Sequence, residues 1–305
     1  MAEFRPKRIL CPVDFSPQSA AALRVAGRLA TIFAAEVLVL HAHRLEVPVY
    51  FTAAQTQALK AQLRRSAKAG RAFLREFTAE QLPEKIQRSV LLVDGDAVSA
   101  ILRAIRDSRP GLVVMATHGR TGLKRIRLGS VMESVLRQTT VPVLTVGPEL
   151  KLSTSLGPIR RILSPVELQG PSQGAFQHAA ELAKATGAEL IALHVIEDRP
   201  ADDQTTEKTR QELCAWVPSD VRERCSIREV VRRGNPAEQI VAEARASRAD
   251  LVVIDVRPRR FLGSVLFSST TEIVIRNSPS PVLSVMSDPI KPSWPENVNG
   301  PPLVR

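Results

Sequence analysis

Two short segments combine the residue types that bind phosphate and sugar groups. Pro12-Val13-Asp14 ends one apolar run, and Ala116-Thr117-His118-Gly119 ends another. After a spacer of nine residues, 120–128, Gly129-Ser130-Val131 opens a helical pattern. Both glycines let a ligand approach the backbone closely, and the free N–H groups and positive dipole end of the helix favour an anion. These segments therefore indicate a phosphate site, although two spaced glycines are also typical of a flexible surface loop.

Other polar groups suggest how the rest of a ligand would be held. The Asp14 carboxylate suits the hydroxyls of a ribose, and backbone groups near Ala42 could read the edge of a base. The segment between the two glycines is basic, so its cations would either clamp phosphates or form a solvated face. These cations are Arg120, Lys124, Arg125 and Arg127.

Catalytic machinery is not evident in the sequence. His118 lies beside the proposed phosphates, where a general base would be needed. A histidine in a loop, however, more often serves only as a polar residue in the wall of a site. The sequence contains no G-x4-G-K-[ST] loop and no metal-ligand spacing. We therefore predict binding without efficient catalysis, with no catalytic residue and no protein metal site, and slow hydrolysis stays open.

The elements that position these segments occur twice. Arg8-Ile9-Leu10-Cys11-Pro12-Val13-Asp14 recurs as Arg161-Ile162-Leu163-Ser164-Pro165-Val166-Glu167, and 112–146 aligns without a gap with 251–285. The offset between the copies shortens along the chain, so the first copy carries extra residues in its middle. The chain is therefore a duplication.

Each copy alternates short β-rich runs with amphipathic stretches, which predicts a parallel sheet wrapped by helices. Ser16-Pro17 is a capped helix start, and the wholly apolar Leu112–Met115 indicates a strand that is covered on both faces. In the first copy, strands are predicted at 8–13, 36–42, 87–93, 111–117 and 142–146, and helices at 17–34, 52–80, 97–108 and 129–139. In the second copy, strands are predicted at 160–166, 188–195, 226–232, 250–256 and 281–286.

The predicted domain organisation follows from the repeat and from breaker residues. Gly147-Pro148 and Gly157-Pro158 bracket a linker. We predict a first, nucleotide-binding domain at 1–148, a linker at 149–158, a second domain with a degenerate site at 159–286, and a Pro-rich tail at 287–305, extended or disordered.

Composition limits the classes of function. The 305 residues carry a net charge of +11, with 44% hydrophobic and 4% aromatic residues. No run of about 18 uncharged apolar residues occurs, and the charged N-terminus leads straight into a strand pattern, so we expect a cytoplasmic protein without membrane contact. The three cysteines are too few for a disulfide framework, and Cys11 suits a core. The charge favours an acidic partner, but scarce aromatics make nucleic acid an unfavoured one.

The motif residues together resemble the universal stress protein family. The resemblance is carried by Pro12-Val13-Asp14-Phe15-Ser16, by Met115-Ala116-Thr117-His118-Gly119-Arg120 and by Leu128-Gly129-Ser130-Val131, and it covers both copies as a tandem two-domain member. It implies a Rossmann-like, adenine-nucleotide-like open α/β sandwich with a five-stranded parallel sheet in each copy. The family's ATP-binding members carry G-x-x-G-x9-G-[ST], in which Ala116 replaces the first glycine here.

The resemblance also implies a ligand and its contacts. ATP, with or without Mg²⁺, would have its ribose on Asp14, its adenine between Ala42 and Val13, and its phosphates along the glycine segments. The nucleotide-binding residues implied in this way are Pro12, Val13, Asp14, Ala42, Met115, Ala116, Thr117, Gly119, Arg120, Gly129, Ser130 and Val131. On this basis we predict a nucleotide-dependent stress-response sensor or adaptor with an unidentified protein partner.

Two alternatives belong to other classes of protein. One is a nucleotide-independent interaction protein whose basic surface engages nucleic acid or an acidic protein. The other is a nucleotidyl- or phosphoryl-transfer enzyme, which is weakened by the lack of an activating group. The helix at 52–80 has a basic face, by default a solvated one, with a smaller case for nucleic acid or anionic lipid.

The second copy has lost the features of the first site. Pro258 replaces Gly119, Ser268 replaces Gly129, Glu167 replaces Asp14, and Asp255 replaces Ala116. A carboxylate at Asp255 would repel incoming phosphates. We therefore predict one competent site per chain.

The fifth strands, 141–146 and 280–285, are apolar and contain prolines that suit an edge position. The family resemblance implies that such strands pair across a two-fold axis, so a tandem chain would form an internal pseudo-dimer. His41 and His194 occupy equivalent strand positions, which indicates packing or structural hydrogen bonds. Further association into a homo-oligomer is left open.

Overall fold

A computed structural model describes most of the chain. The described residues are 4–43, 53–117, 129–147, 158–170, 172–197, 203–256, 259–261, 264–266 and 269–286. The first copy forms β1 (Arg8–Pro12), α1 (Pro17–Phe33), β2 (Glu36–His43), α2 (Ala53–Gln81), β3 (Arg88–Asp94), α3 (Ala97–Ser108), β4 (Leu112–Ala116), α4 (Ser130–Gln138) and β5 (Val143–Val146).

The second copy repeats this order with local differences. It forms β6 (Arg161–Pro165), α5 (Gln173–Thr186), β7 (Glu189–Ile196), α6 (Asp203–Trp216), α7 (Ser219–Arg224), β8 (Ile227–Arg233), α8 (Pro236–Ala246), β9 (Leu251–Val256), β10 (Arg259–Phe261), β11 (Ser264–Leu266), α9 (Ser269–Asn277) and β12 (Val282–Met286). Every predicted strand and helix has an observed counterpart. The short helices α6 and α7, which meet at Pro218, take the place of the 29-residue α2.

The strands of both copies join in one sheet. Its order is β3-β2-β1-β4-β5-β12-β9-β6-β7-β8, and β10 and β11 form a separate hairpin. Neighbours within each copy run parallel, whereas β5 and β12 pair antiparallel with Leu144 opposite Leu283. The predicted pairing of the fifth strands into an internal pseudo-dimer is therefore confirmed.

Helices cover both faces of the sheet, as the apolar strands require. On one face, α1 packs over β1 and β4, and α5 packs over β6 and β9. The other face is covered by α3, α4, α8 and α9. Cys11 is fully buried, which confirms its role as a core residue, and burial raises the pKa of its thiol.

The predicted start of α1 is also confirmed. Ser16 accepts a hydrogen bond from the Ser19 N–H at 3.1 Å, and Pro17 is the first helical residue. Residues 148–157 and 287–305 lie outside the described residues, so the linker and tail stay predictions.

Candidate functional site

A cavity opens where the strand order of the first copy reverses. The sheet runs from β1 to β2 on one side and from β1 to β4 on the other, and in such sheets ligands bind beyond the carboxyl ends at this point. The cavity has a volume of about 280 Å³ and lies at the ends of β1 and β4 and the start of α4. This places it at the position that the sequence predicts.

Most of the predicted site residues line this cavity together. These residues are Pro12, Val13, Asp14, Ala42, Met115, Ala116, Thr117, Gly129, Ser130 and Val131. Gly119 and Arg120 lie outside the described residues, as do His118 and the cations Lys124, Arg125 and Arg127. The nucleotide-binding role of the set stays a prediction.

The Asp14 carboxylate is held in place by the residues that follow it. Its Oδ1 accepts hydrogen bonds from the Ser16 N–H at 3.1 Å and the Ser16 hydroxyl at 2.5 Å. The Asp14 N–H donates to Ser19 Oγ at 3.4 Å, and this hydroxyl donates to the Ser16 carbonyl. These bonds fix the carboxylate at the cavity wall, in a position to face a ligand.

The start of α4 forms the facing wall. The Gly129 N–H donates to the Thr117 carbonyl at 2.9 Å, which joins the helix to the end of β4. Asp96 caps α3 with its side chain, but Gly129, the N-cap residue of α4, has no side chain with which to do so. The first N–H groups of α4 therefore carry the positive end of the helix dipole to a cavity wall, where an anion would be stabilised.

Ala116 causes no backbone conflict. It is the last residue of β4, pairs with Val146 of β5 and is not among the residues with positive φ. Extended backbone is open to any residue, so a glycine is not needed at this position.

Phe15 adopts a conformation that the sequence does not reveal. Its φ of 63° lies in the left-handed region, which costs a non-glycine residue roughly 1–2 kcal/mol. Its ring packs against His41, Phe73 and Phe77, with centroids 4.2, 4.8 and 5.2 Å away. This packing offsets the strain and fixes the turn that presents Asp14.

The paired histidines have a structural role. His41 Nδ1 donates to the Val13 carbonyl at 2.7 Å, and His194 Nδ1 donates to the Val166 carbonyl at 2.9 Å. The predicted structural hydrogen bonds are therefore confirmed in both copies.

Sequence reasoning missed five residues of the cavity wall. Ser19, Leu40, Ala97, Ile101 and Met132 also line it. Leu40 lies two positions before Ala42 on the same strand face, and Ala97 and Ile101 are one helical turn apart. The strand periodicity, applied outward from Ala42, could have found Leu40, whereas no motif residue lies on α3 to indicate Ala97 and Ile101.

The second copy keeps the frame but changes the polar groups. The Glu167 N–H donates to Ser172 Oγ at 2.8 Å, just as Asp14 does to Ser19. Asp255 lies in β9 at the position of Ala116. Pro258 and Ser268 lie outside the described residues, so the loss of the second site stays a prediction.

Metal clusters and membrane-spanning helices are both absent from the described part of the chain. Within it, no group of three or more His, Cys, Asp or Glu side chains could hold a metal ion. None of its helices is both long and apolar enough to cross a membrane.

The fold and the cavity define a class of protein: a doubled open α/β sheet with a polar-rimmed pocket at its switch point. Comparison with known proteins narrows this class. The universal stress protein family model matches residues 6–147 and again 158–285. The chain therefore belongs to the universal stress protein family, as a member with two tandem domains.

Individual relatives agree with this assignment. A universal stress protein of Mycolicibacterium smegmatis is 26% identical over 91% of this chain and 96% of its own length. One from Methanocaldococcus jannaschii is 32% identical over 46% of this chain and 81% of its own length. The crystal structure of a universal stress protein from Archaeoglobus fulgidus covers 92% of this chain and 99% of its own, with 23% identity and a TM-score of 0.68, and so shares the fold.

Proposed function

We propose that the first-copy cavity binds ATP or a related adenine nucleotide, and that the chain acts in the cytoplasm as a nucleotide-dependent stress-response sensor or adaptor. The observation that carries the proposal is that the uncapped start of α4 and the Asp14 carboxylate line one cavity. A positive helix end and a carboxylate are the groups that a phosphate and a ribose respectively require.

The remaining walls suit a base. Leu40, Ile101 and Met115 are buried and give the cavity an apolar side. The volume of about 280 Å³ lies just below the usual range for pockets that hold drug-sized ligands, which fits a nucleoside with its first phosphate. A Mg²⁺ ion would be held chiefly by phosphate oxygens, with the Ser130 hydroxyl as a protein ligand.

The described lining of the cavity offers little for efficient turnover. Among the described lining residues, Asp14 is the single ionisable side chain, and its Oδ1 already accepts two hydrogen bonds. The His41 ring uses Nδ1 to bond the Val13 carbonyl. A general base needs an available acceptor atom near the attacking group, and Asp14 Oδ1 and His41 Nδ1 are already engaged in these bonds. We therefore propose a binding role without efficient catalysis.

Titration calorimetry with ATP tests the proposal. We expect one site per wild-type chain, weakened about tenfold or more by Asp14→Ala or Gly129→Val. Gly129 has a φ of −59°, so valine blocks the approach of an anion without straining the backbone. The matched controls are Glu167→Ala and Ser268→Val in the second copy, which should leave the affinity unchanged.

Two results would contradict the proposal. One is a wild-type protein that gives no binding heat with ATP. The other is a loss of binding in the second-copy variants while the first-copy variants still bind. Thermal unfolding of each variant shows that a loss of binding is not a loss of folding.

A further inference from the structure

The outer strand β3 has one free edge within the described part of the chain. It pairs with β2 alone, and the bonds Val37 N to Gln87 O and Gly95 N to His43 O show that odd-numbered residues face β2. In a parallel ladder the alternate residues direct their N–H and C=O groups to the other side. The residues that do so are Arg88, Val90 and Leu92.

A groove opens beside the start of this edge. It has a volume of about 640 Å³ and lies between Arg75 and Thr78 of α2, Arg88 and Val90 of β3, and Ser108 at the end of α3. The strand residues that line the groove lie at or near the starts of β1, β2 and β3. The groove is therefore at the amino ends of the strands, away from the first-copy cavity at their carboxyl ends. The groove and the proposed nucleotide site are therefore separate.

The charges of the groove do not cancel. Arg8 pairs with Glu36 at 3.0 Å, and Asp107 pairs with Arg106 at 3.1 Å. The Arg88 guanidinium donates to two backbone carbonyls, those of Leu82 and Pro83, and these neutral acceptors leave its charge uncompensated among the described residues.

Helix α2 extends the basic wall. Lys68, Arg71 and Arg75 are exposed and fall within an arc of about 60° over about 10 Å of helix. They lie on one flank of buried Leu74, and the aromatic residues that pack on Phe15 lie on the other. No ion pair within the described ranges involves any of the three cations.

The opposite edge of the sheet is built differently. On β8, Arg228 pairs with Glu189 at 3.2 Å and Arg232 pairs with the buried Glu243 at 2.6 Å. These arginines are neutralised within the chain, whereas the cations beside β3 are not. The uncompensated charge is thus a property of the β3 edge.

We propose that the β3 groove binds an acidic polypeptide segment in an extended conformation, which adds to β3 as a further strand. The free N–H and C=O groups supply a backbone ladder, and Arg75, Arg88 and the cations of α2 attract the acidic side chains. A nucleic acid would satisfy the charge but not the ladder, since its phosphate backbone has no N–H donor. The partner class is therefore an acidic protein.

Fluorescence anisotropy with a labelled twelve-residue peptide of alternating Glu and Thr tests this, using the full chain. Arg75→Glu should weaken binding about tenfold, whereas Arg65→Glu, the same charge change on the same helix outside the groove, should change it less than about threefold. Val90→Pro removes an outward N–H without touching the β2 ladder and should also weaken binding. Val231→Pro, an outward position on β8, is its control.

Hydrogen exchange keeps the test decisive if Val90→Pro fails to fold. The Val90 and Leu92 amides of the wild-type chain should become protected when the peptide is added. Unchanged exchange at both amides would overturn the proposal, as would equal loss of binding in Arg65→Glu and Arg75→Glu. Displacement of the peptide by a thymidine 20-mer or by anionic vesicles, with both amides left unprotected, would also refute it.

Discussion

Truncating Leu144 to alanine should destabilise the joint between the two copies. Leu144 and Leu283 face each other in the β5–β12 ladder, and each is about 2% exposed. Losing three buried carbon groups costs about 2.4 kcal/mol, and the cavity left behind raises this to about 3 kcal/mol. The void already beside both residues measures only about 10 Å³, so the surrounding side chains have little free space into which to relax.

The double variant gives the sharper test. Either single truncation already removes the packing of one leucine side chain on the other, so the second truncation cannot remove it again. The double variant should therefore cost about 1 kcal/mol less than the two single changes added together. Urea unfolding with an unchanged slope measures each free energy of unfolding.

A control pair separates direct packing from general loss of core. Leu74 is buried on α2, far from β5, so its truncation should add to that of Leu144 within about 0.5 kcal/mol. Strict additivity of Leu144→Ala and Leu283→Ala would refute the reasoning, because residues that face each other across a ladder should couple.

Three further predictions concern other parts of the chain. Gly111→Ala should lower stability by about 1–3 kcal/mol in thermal unfolding, since its new Cβ would lie 2.8 Å from the Pro6 Cα; an unchanged melting temperature would contradict this. Cys11 should resist iodoacetamide at pH 8 until the protein unfolds, because burial raises the pKa of its thiol, while exposed Cys214 should react in the folded protein. Mass spectrometry of the two cysteine-containing peptides measures the alkylation of each. Burial lowers the pKa of His178, although the Gly174 carbonyl opposes this. The folded state therefore binds fewer protons than the unfolded state, and the free energy of unfolding should fall as the pH drops below about 6.5. An equal pH dependence in His178→Phe would disprove this.

Much of the architecture can be read from the sequence because its signals are local. The apolar run at Leu112–Met115 and the Ser16-Pro17 cap each specify an element through neighbouring residues, and the duplication repeats those signals. The junction of the two copies can be predicted from the apolar fifth strands together with the family resemblance.

The features that escaped prediction depend on tertiary contacts. The left-handed Phe15 is stabilised by Phe73 and Phe77, about sixty residues away in the chain, and no local pattern requires that conformation. The cavity residues on α3 were missed because an apolar residue facing a cavity looks like one facing the core. The exposed Phe73 shows the same limit, since its 53% exposure follows from how α2 lies on the sheet.

The joining of β5 to β12 within a single polypeptide has an evolutionary consequence. In an assembly of identical subunits, every substitution appears in both halves, so neither half can change alone. Here each half has its own stretch of gene, and Asp255 can arise at the counterpart of Ala116 while the first pocket is kept. Dilution also cannot separate the two halves, because they belong to one polypeptide and cannot diffuse apart. Fusion thus frees one half to acquire a different task.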